Sequence, residues 1–347
     1  MRWLGILCLA LLLSAVTGRS PALGADPAVH YANRVGSGGG GYREAWFGRG
    51  DDRLHYVEAG RGPLVILYHG FPSYWFSFFD QMEALKADHR VVAVDGLGAG
   101  LSGKPEAEAP YRVSRLAAQL DRLARHLGGD RRFVLIGHDW GAALAFAYAQ
   151  AYPKRLHAVV GLSAPPYNLF LDLVARSAEQ QARSAYMQRF RTLTLAAISS
   201  GDIAERISRQ SYAALVESGA LKAEEAELFR RALADPRAIH GGMNWYRANI
   251  PAFEAISPRT LWPSGNVRIE VPALLIWGDQ DRTFVEQAWS RFSDYADSPT
   301  VVRLPGVGHW ATMEKPELAN NAIQAFLTAN VSYARLPHRR GPSSRRR

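Results

Sequence analysis

Cysteine is almost absent: Cys8 is the one thiol in 347 residues. A single cysteine closes no intramolecular disulfide, so the fold must be held by its core. No group of Cys, His, Asp or Glu has metal-site spacing, and neither a metal nor a cofactor is expected. Long apolar runs are missing too. The N-terminal one, Trp3 to Val16, spans 14 residues, short of the roughly 20 that cross a bilayer. The glycine run Gly38–Gly41 is not followed by Gly-Lys-Ser or Gly-Lys-Thr. A phosphate loop is thereby excluded there, and the run reads as a flexible linker. No internal repeat is visible.

Acidic excess is also absent, since the formal net charge is +9. That charge sits at the ends. Six arginines (Arg335, Arg339, Arg340, Arg345, Arg346 and Arg347) fall in the last 13 residues, and Arg2 and Arg19 lie near the start. Without them the chain is nearly neutral, so no specific nucleic-acid surface is expected on the folded body. Residues 335–347 lack an apolar pattern and read as a disordered basic tail. Met1-Arg2, the apolar run and Ala22-Leu23-Gly24-Ala25 read as a signal peptide over residues 1–25. A secreted or periplasmic protein follows, with no membrane span in the mature form; a retained anchor is the alternative. Oligomeric state is not legible.

What is present is a globular composition, 48% hydrophobic and 21% charged. Tyr42–Phe47 and Leu54–Ala59 flank a Gly-Arg-Gly-Asp-Asp loop and predict an antiparallel hairpin. Short apolar runs follow at Leu64–Tyr68, Arg90–Asp95, Phe133–Gly137, Ala158–Leu162, Ala273–Gly278 and Thr300–Leu304. Val113, Leu116, Leu120, Leu123 and Leu127 mark one helix face between them. Such alternation predicts an α/β fold: a mostly parallel sheet with helices on both faces. It breaks between about Ala164 and Val267, where Ser177–Ile198 and Lys222–Ala234 are helical and no buried strand stands out. A core of 26–163 and 268–334 is expected, with a helical cap at 164–267 lying over the carboxyl ends of the strands.

Chemistry concentrates at strand ends. Gly137-His138-Asp139-Trp140-Gly141 follows the run ending at Ile136 and precedes the helical stretch Ala142–Ala151, the context of a nucleophile elbow. The tip residue is Asp139, whose carboxylate needs no base to be nucleophilic. His69-Gly70-Phe71-Pro72 follows the run Leu64–Tyr68; backbone N–H groups of Phe71 and Trp140 are candidate oxyanion donors. His69 itself reads as a turn-shaping residue. Asp279 and Asp281 follow the run at 273–278 and compete as the acid, with Asp281 favoured because it lies farther from the strand. His309, in Gly308-His309-Trp310, follows the last run and is the candidate base.

These segments, with Asp95-Gly-Leu-Gly-Ala-Gly-Leu-Ser102, resemble the α/β-hydrolase superfamily, specifically its epoxide hydrolase branch, which is close to the haloalkane dehalogenases. The resemblance covers roughly Tyr42 to Thr328. It implies an α/β-hydrolase fold with a cap inserted after strand six. It also implies an enzyme that opens a small apolar epoxide to a vicinal diol, with water as co-substrate, through an ester of Asp139 that His309 and Asp281 hydrolyse. Met243-Asn-Trp-Tyr246-Arg-Ala-Asn249 resembles the family segment with a ring-opening tyrosine, giving Tyr246 that role. Ser184-Ala-Tyr186-Met-Gln-Arg-Phe190 resembles the segment with the second, giving Tyr186. A haloalkane or haloacetate dehalogenase with the same triad is the alternative. Against it, Phe71 replaces the Asn of haloalkane enzymes, and the arginines that haloacetate enzymes carry after the nucleophile are absent.

Overall fold

The computed structural model describes residues 26–257 and 261–332. The expected signal segment and basic tail lie outside them. Eight strands among these residues form one sheet: β1 (Arg43–Phe47), β2 (Leu54–Ala59), β3 (Leu64–Tyr68), β4 (Arg90–Val94), β5 (Phe133–His138), β6 (Leu156–Leu162), β7 (Ala273–Gly278) and β8 (Pro299–Leu304). Their order is β1-β2-β4-β3-β5-β6-β7-β8. β1 and β2 form the antiparallel hairpin, β2 pairs antiparallel with β4, and all later pairings are parallel. Every residue of β5 and β7 is buried. Their continuous apolar runs, rather than alternating ones, reflect cover on both faces.

The first departure from expectation is at the N-terminal side. The residues before the glycine run, for which no helix was expected, carry α1 (Pro27–Val35), capped by Asp26, whose side chain accepts the Ala28 N–H at 2.9 Å. Ala28, Tyr31 and Ala32 form its buried face. The glycine run is no free linker either: Gly38 to Gly41 all have positive φ, and Lys86 Nζ donates to the carbonyls of Ser37 at 2.8 Å and Gly40 at 3.3 Å. Four glycines supply a turn that no other residue type makes without strain.

Core helices follow: α2 (Phe79–Leu85), α3 (Val113–Gly128) and α4 (Trp140–Ala151). α3 buries the expected Val113-Leu116-Leu120-Leu123-Leu127 face. α4 is buried nearly all round, and its alanines let it lie close on β5 and β6.

After β6 the chain leaves the sheet and forms the cap: α5 (Tyr167–Arg176), α6 (Ala178–Arg183), α7 (Ala185–Phe190), α8 (Leu195–Ser200), α9 (Ile203–Glu217), α10 (Ala223–Leu233) and α11 (Pro236–Asn249). The stretch 177–198, expected as one helical region, is three short helices. Ser177 and Thr194 each cap a new start, accepting from Gln180 N and Ala197 N, so the chain turns where a longer helix would have run on. α11 is tied to the core: Trp245 Nε1 donates to Leu97 O at 2.9 Å, and Asn249 Oδ1 accepts from Val113 N at 2.8 Å. α12 (Gln287–Ser290), α13 (Ala311–Glu314) and α14 (Pro316–Asn330) complete the fold. No helix among the described residues is long and apolar enough to cross a membrane.

Candidate active site

The elbow lies between β5 and α4. Asp139 has φ 53° and ψ −121°, a conformation that costs a non-glycine residue roughly 1–3 kcal/mol. Close packing holds it there: a Cβ on Gly141 would lie 1.8 Å from Tyr68 O. The carboxylate thereby stands at the head of α4, with its two oxygens in different surroundings. Oδ1 accepts the Phe71 N–H at 2.9 Å, and the Trp140 N–H also bonds to the carboxylate. Oδ2 faces His309, 3.5 Å from Nε2. Burial favours the neutral acid, but His309, His138 and the Trp140 N–H outweigh it and hold Asp139 below its ordinary pKa.

His309 Nδ1 lies 2.8 Å from Asp281 Oδ2. Asp281 is in turn fixed by the Thr283 N–H, 2.8 Å from Oδ1. The structure thus brings Asp281, not Asp279, to the histidine. Asp279 accepts from Gly306 N at 2.8 Å and shapes the loop beside it. Burial opposes charge on His309, but the carboxylates of Asp281 and Asp139 prevail and push its pKa up to about 10. His69 is used structurally: Gly96 N–H donates to its Nε2 at 2.9 Å, and Nδ1 meets Gly70 O at 2.7 Å.

Two residues that hold the histidine loop escaped sequence reasoning. His138 Nε2–H donates to His309 O at 2.8 Å; burial and the neighbouring His309 push its pKa down to about 4, so the ring stays neutral. Glu314 accepts from Gly308 N at 2.6 Å and from Trp310 N at 2.9 Å, gripping the backbone on both sides of His309. The signal for His138 was its place inside the elbow pentapeptide. Glu314 carried none, because its role runs entirely through backbone N–H groups.

The cap lowers two phenols over this carboxylate. Tyr246, on α11, is only 2% exposed. Its ring packs edge-on against Trp140 at 5.2 Å, Phe71 at 5.9 Å and Tyr186 at 6.1 Å. α11 reaches so low because residue 242 is glycine: a Cβ there would lie 2.1 Å from the Phe71 ring. Tyr186, on α7, is half-buried and packs on Phe190. Burial, each other and the Asp139 charge raise the pKa of Tyr246; burial and Asp139 raise that of Tyr186. Both therefore keep their protons at neutral pH. The space between Asp139, Trp140, Met187 and Tyr246 is about 30 Å³, walled by Phe170 and Phe284. Of the other cap aromatics, Tyr167 and Phe170 line it; Phe190 packs behind Tyr246, and Trp245 bonds to Leu97 O.

The arrangement has known relatives. A family profile for the alpha/beta hydrolase fold matches residues 63–316. The chain is 30% identical to epoxide hydrolase 4 of Mus musculus over 79% of its own length and 76% of the relative's. It is 28% identical to the AB hydrolase superfamily protein YfhM of Bacillus subtilis, over 79% and 94% respectively. Among solved structures, an epoxide hydrolase of Bacillus megaterium bound to an inhibitor superposes with a TM-score of 0.74 at 26% identity, covering 82% of this chain and all of that one.

Proposed function

The chain belongs to the α/β-hydrolase family, in its epoxide hydrolase branch, and from that premise we propose that it hydrolyses epoxides to vicinal diols through a covalent ester of Asp139. One observation carries the reading: a carboxylate with one oxygen on backbone N–H groups and the other facing a histidine, beneath two protonated phenols.

Oδ2, the oxygen not bonded to Phe71 N, attacks a ring carbon. The carbon–oxygen bond breaks, and the departing oxygen takes a proton from Tyr246 or Tyr186. A hydroxyalkyl ester results. Esterification removes the Asp139 charge, one of the two that hold His309 protonated, so the histidine pKa falls, its proton passes to the phenolate, and the ring becomes a base only when a base is needed. His309 Nε2 then takes a proton from water, which attacks Asp139 Cγ. The oxyanion forms at Oδ1, against the N–H groups of Phe71 and Trp140. Collapse frees the diol and the carboxylate. Of the two water protons, one goes to the leaving oxygen and the other, leaving the Asp139 carboxyl, returns to His309.

The dehalogenase reading gains no support here. A departing halide wants an N–H donor, and the Trp140 indole N–H is engaged with the Tyr246 hydroxyl.

A single turnover in heavy-oxygen water tests the scheme. The ester route puts the label in Asp139 and leaves the first diol unlabelled, because the diol's new oxygen comes from the carboxylate. Label in the first diol means water attacked the ring directly and ends the proposal. In parallel, His309→Gln should accumulate the ester, visible by mass spectrometry of the peptide with Asp139.

A further inference from the structure

A larger cavity lies away from Asp139. It is a crevice of about 380 Å³ between the loop after β4 and the α10–α11 corner of the cap. Cations from both sides enter its wall: Arg53 and Lys104 from the core, Arg231 and Arg237 from the cap. The cap arginines are already paired, Arg231 with Glu227 at 2.8 Å and Arg237 with Asp235 at 3.0 Å. The core cations are not. Lys104 Nζ donates to the carbonyls of Gly100 at 2.6 Å and Ser102 at 3.2 Å, and Arg53 Nη2 reaches Leu101 O at 3.4 Å. Among the described residues neither has a carboxylate within 4 Å, and Arg53 Nε is buried with no partner.

The acids on the wall do not answer this demand. Asp26 is turned to the Trp75 indole at 2.7 Å and to the Ala28 N–H. Asp235 is taken by Arg237, and Asp51 is exposed at the surface. Burial lowers the Lys104 pKa; Asp235 and Asp95 offset this only in part, and Arg237 and Arg53 add to the lowering. Crowded, partly desolvated cations with no carboxylate in direct contact are costly, and an anion relieves the cost. The rest of the wall includes Tyr74, Leu101, Leu228 and Ala232, which offer apolar surface.

We propose that this crevice is a second ligand site, taking the oxyanion of a small alkyl carboxylate or alkyl phosphate between Arg53 and Lys104, with its alkyl part on Leu101, Leu228 and Ala232. Its walls come from core and cap together, so an occupant bridges the two. Gly100 and Ala232 also line a narrow space that reaches Phe71 and Trp140, which links the site to the oxyanion donors.

The test needs no epoxide, so its outcome is independent of the proposed chemistry. Hexanoate, hexyl phosphate and inorganic phosphate are titrated into the full chain at constant ionic strength, with melting temperature and calorimetry as readouts. A ligand at about 100 times its Kd should raise Tm by roughly 4–8 °C, and the alkyl anion with the lower Kd identifies the headgroup. The double variant Arg53→Gln/Lys104→Gln should lose at least tenfold in affinity. Ala232→Phe, which fills the crevice and leaves the cations in place, should weaken both alkyl anions. It carries the test alone if the double variant does not fold. No saturable binding overturns the proposal. So does binding unchanged by these substitutions, since that ligand sits elsewhere, in the space above Asp139 for example. Inorganic phosphate equalling hexyl phosphate overturns the alkyl assignment.

Discussion

Single atoms decide which of several similar side chains enters the chemistry. Tyr246 and Tyr186 both keep their protons, but Tyr246 is buried against Trp140 and Phe71 whereas Tyr186 is only partly buried. Tyr246→Phe is therefore expected to lower kcat/KM by about 10²–10⁴-fold, the usual worth of one general acid. A loss under threefold would take that phenol out of the reaction. His309 gives a second prediction, on stability. Its folded pKa, about 10, is raised above the unfolded value of 6.5 by two carboxylates. The stabilisation is fully present below pH 6.5 and is lost as pH rises through 10. Wild-type Tm should fall across pH 6.5–10 more steeply than that of His309→Gln, and parallel curves would contradict the ion pairing.

At the scale of elements, Gly242 lets α11 approach the sheet. Gly242→Ala drives a methyl into the Phe71 ring. Phe71 cannot yield freely, because Phe190 lies at 5.8 Å and Tyr246 at 5.9 Å. The substitution should cost about 1–3 kcal/mol in denaturant unfolding, as overpacking does, and lower kcat by displacing Tyr246 and the Phe71 N–H together. Unchanged kcat would mean that α11 has slack. The elements also account for what was legible beforehand. β3 to β7 were readable because a strand covered on both faces is a bare apolar run. α1 was not, because the glycines beside it read as a linker and its buried face is three residues, Ala28, Tyr31 and Ala32. The breaks near Ser184 and Thr194 escaped because helical composition continues across them. Asp139, Asp281 and His309 stood out because their chemistry needs particular side chains at strand ends. His138 and Glu314 did not, because they act on backbone groups of a loop distant from at least one of them in sequence, and only the folded chain brings these together.

For the whole molecule, the governing fact is how little room the cap leaves above Asp139. About 30 Å³ between Asp139 and Tyr246 holds a water or two, so seating an alkyl epoxide there needs the walls to yield. Substrate entry therefore requires part of the cap to move. The core cannot supply that motion, since α4 and the central strands are buried on all sides. Within the cap, α11 is bonded to core backbone at Leu97 and Val113, whereas α7 and α8 are short and each buries one residue, Met187 and Ile198. Few buried contacts mean a low free energy of local opening. Amide hydrogen exchange followed by mass spectrometry should show α7 and α8 exchanging faster than α11, and α4 slowest. An epoxide-derived ester trapped in His309→Gln should slow exchange in α7, which carries Tyr186, more than in α10 at the far side of the cap. Equal protection of α7 and α11 in the free protein would show that the cap moves as one body, and the entry route would then have to open at the cap–core seam instead.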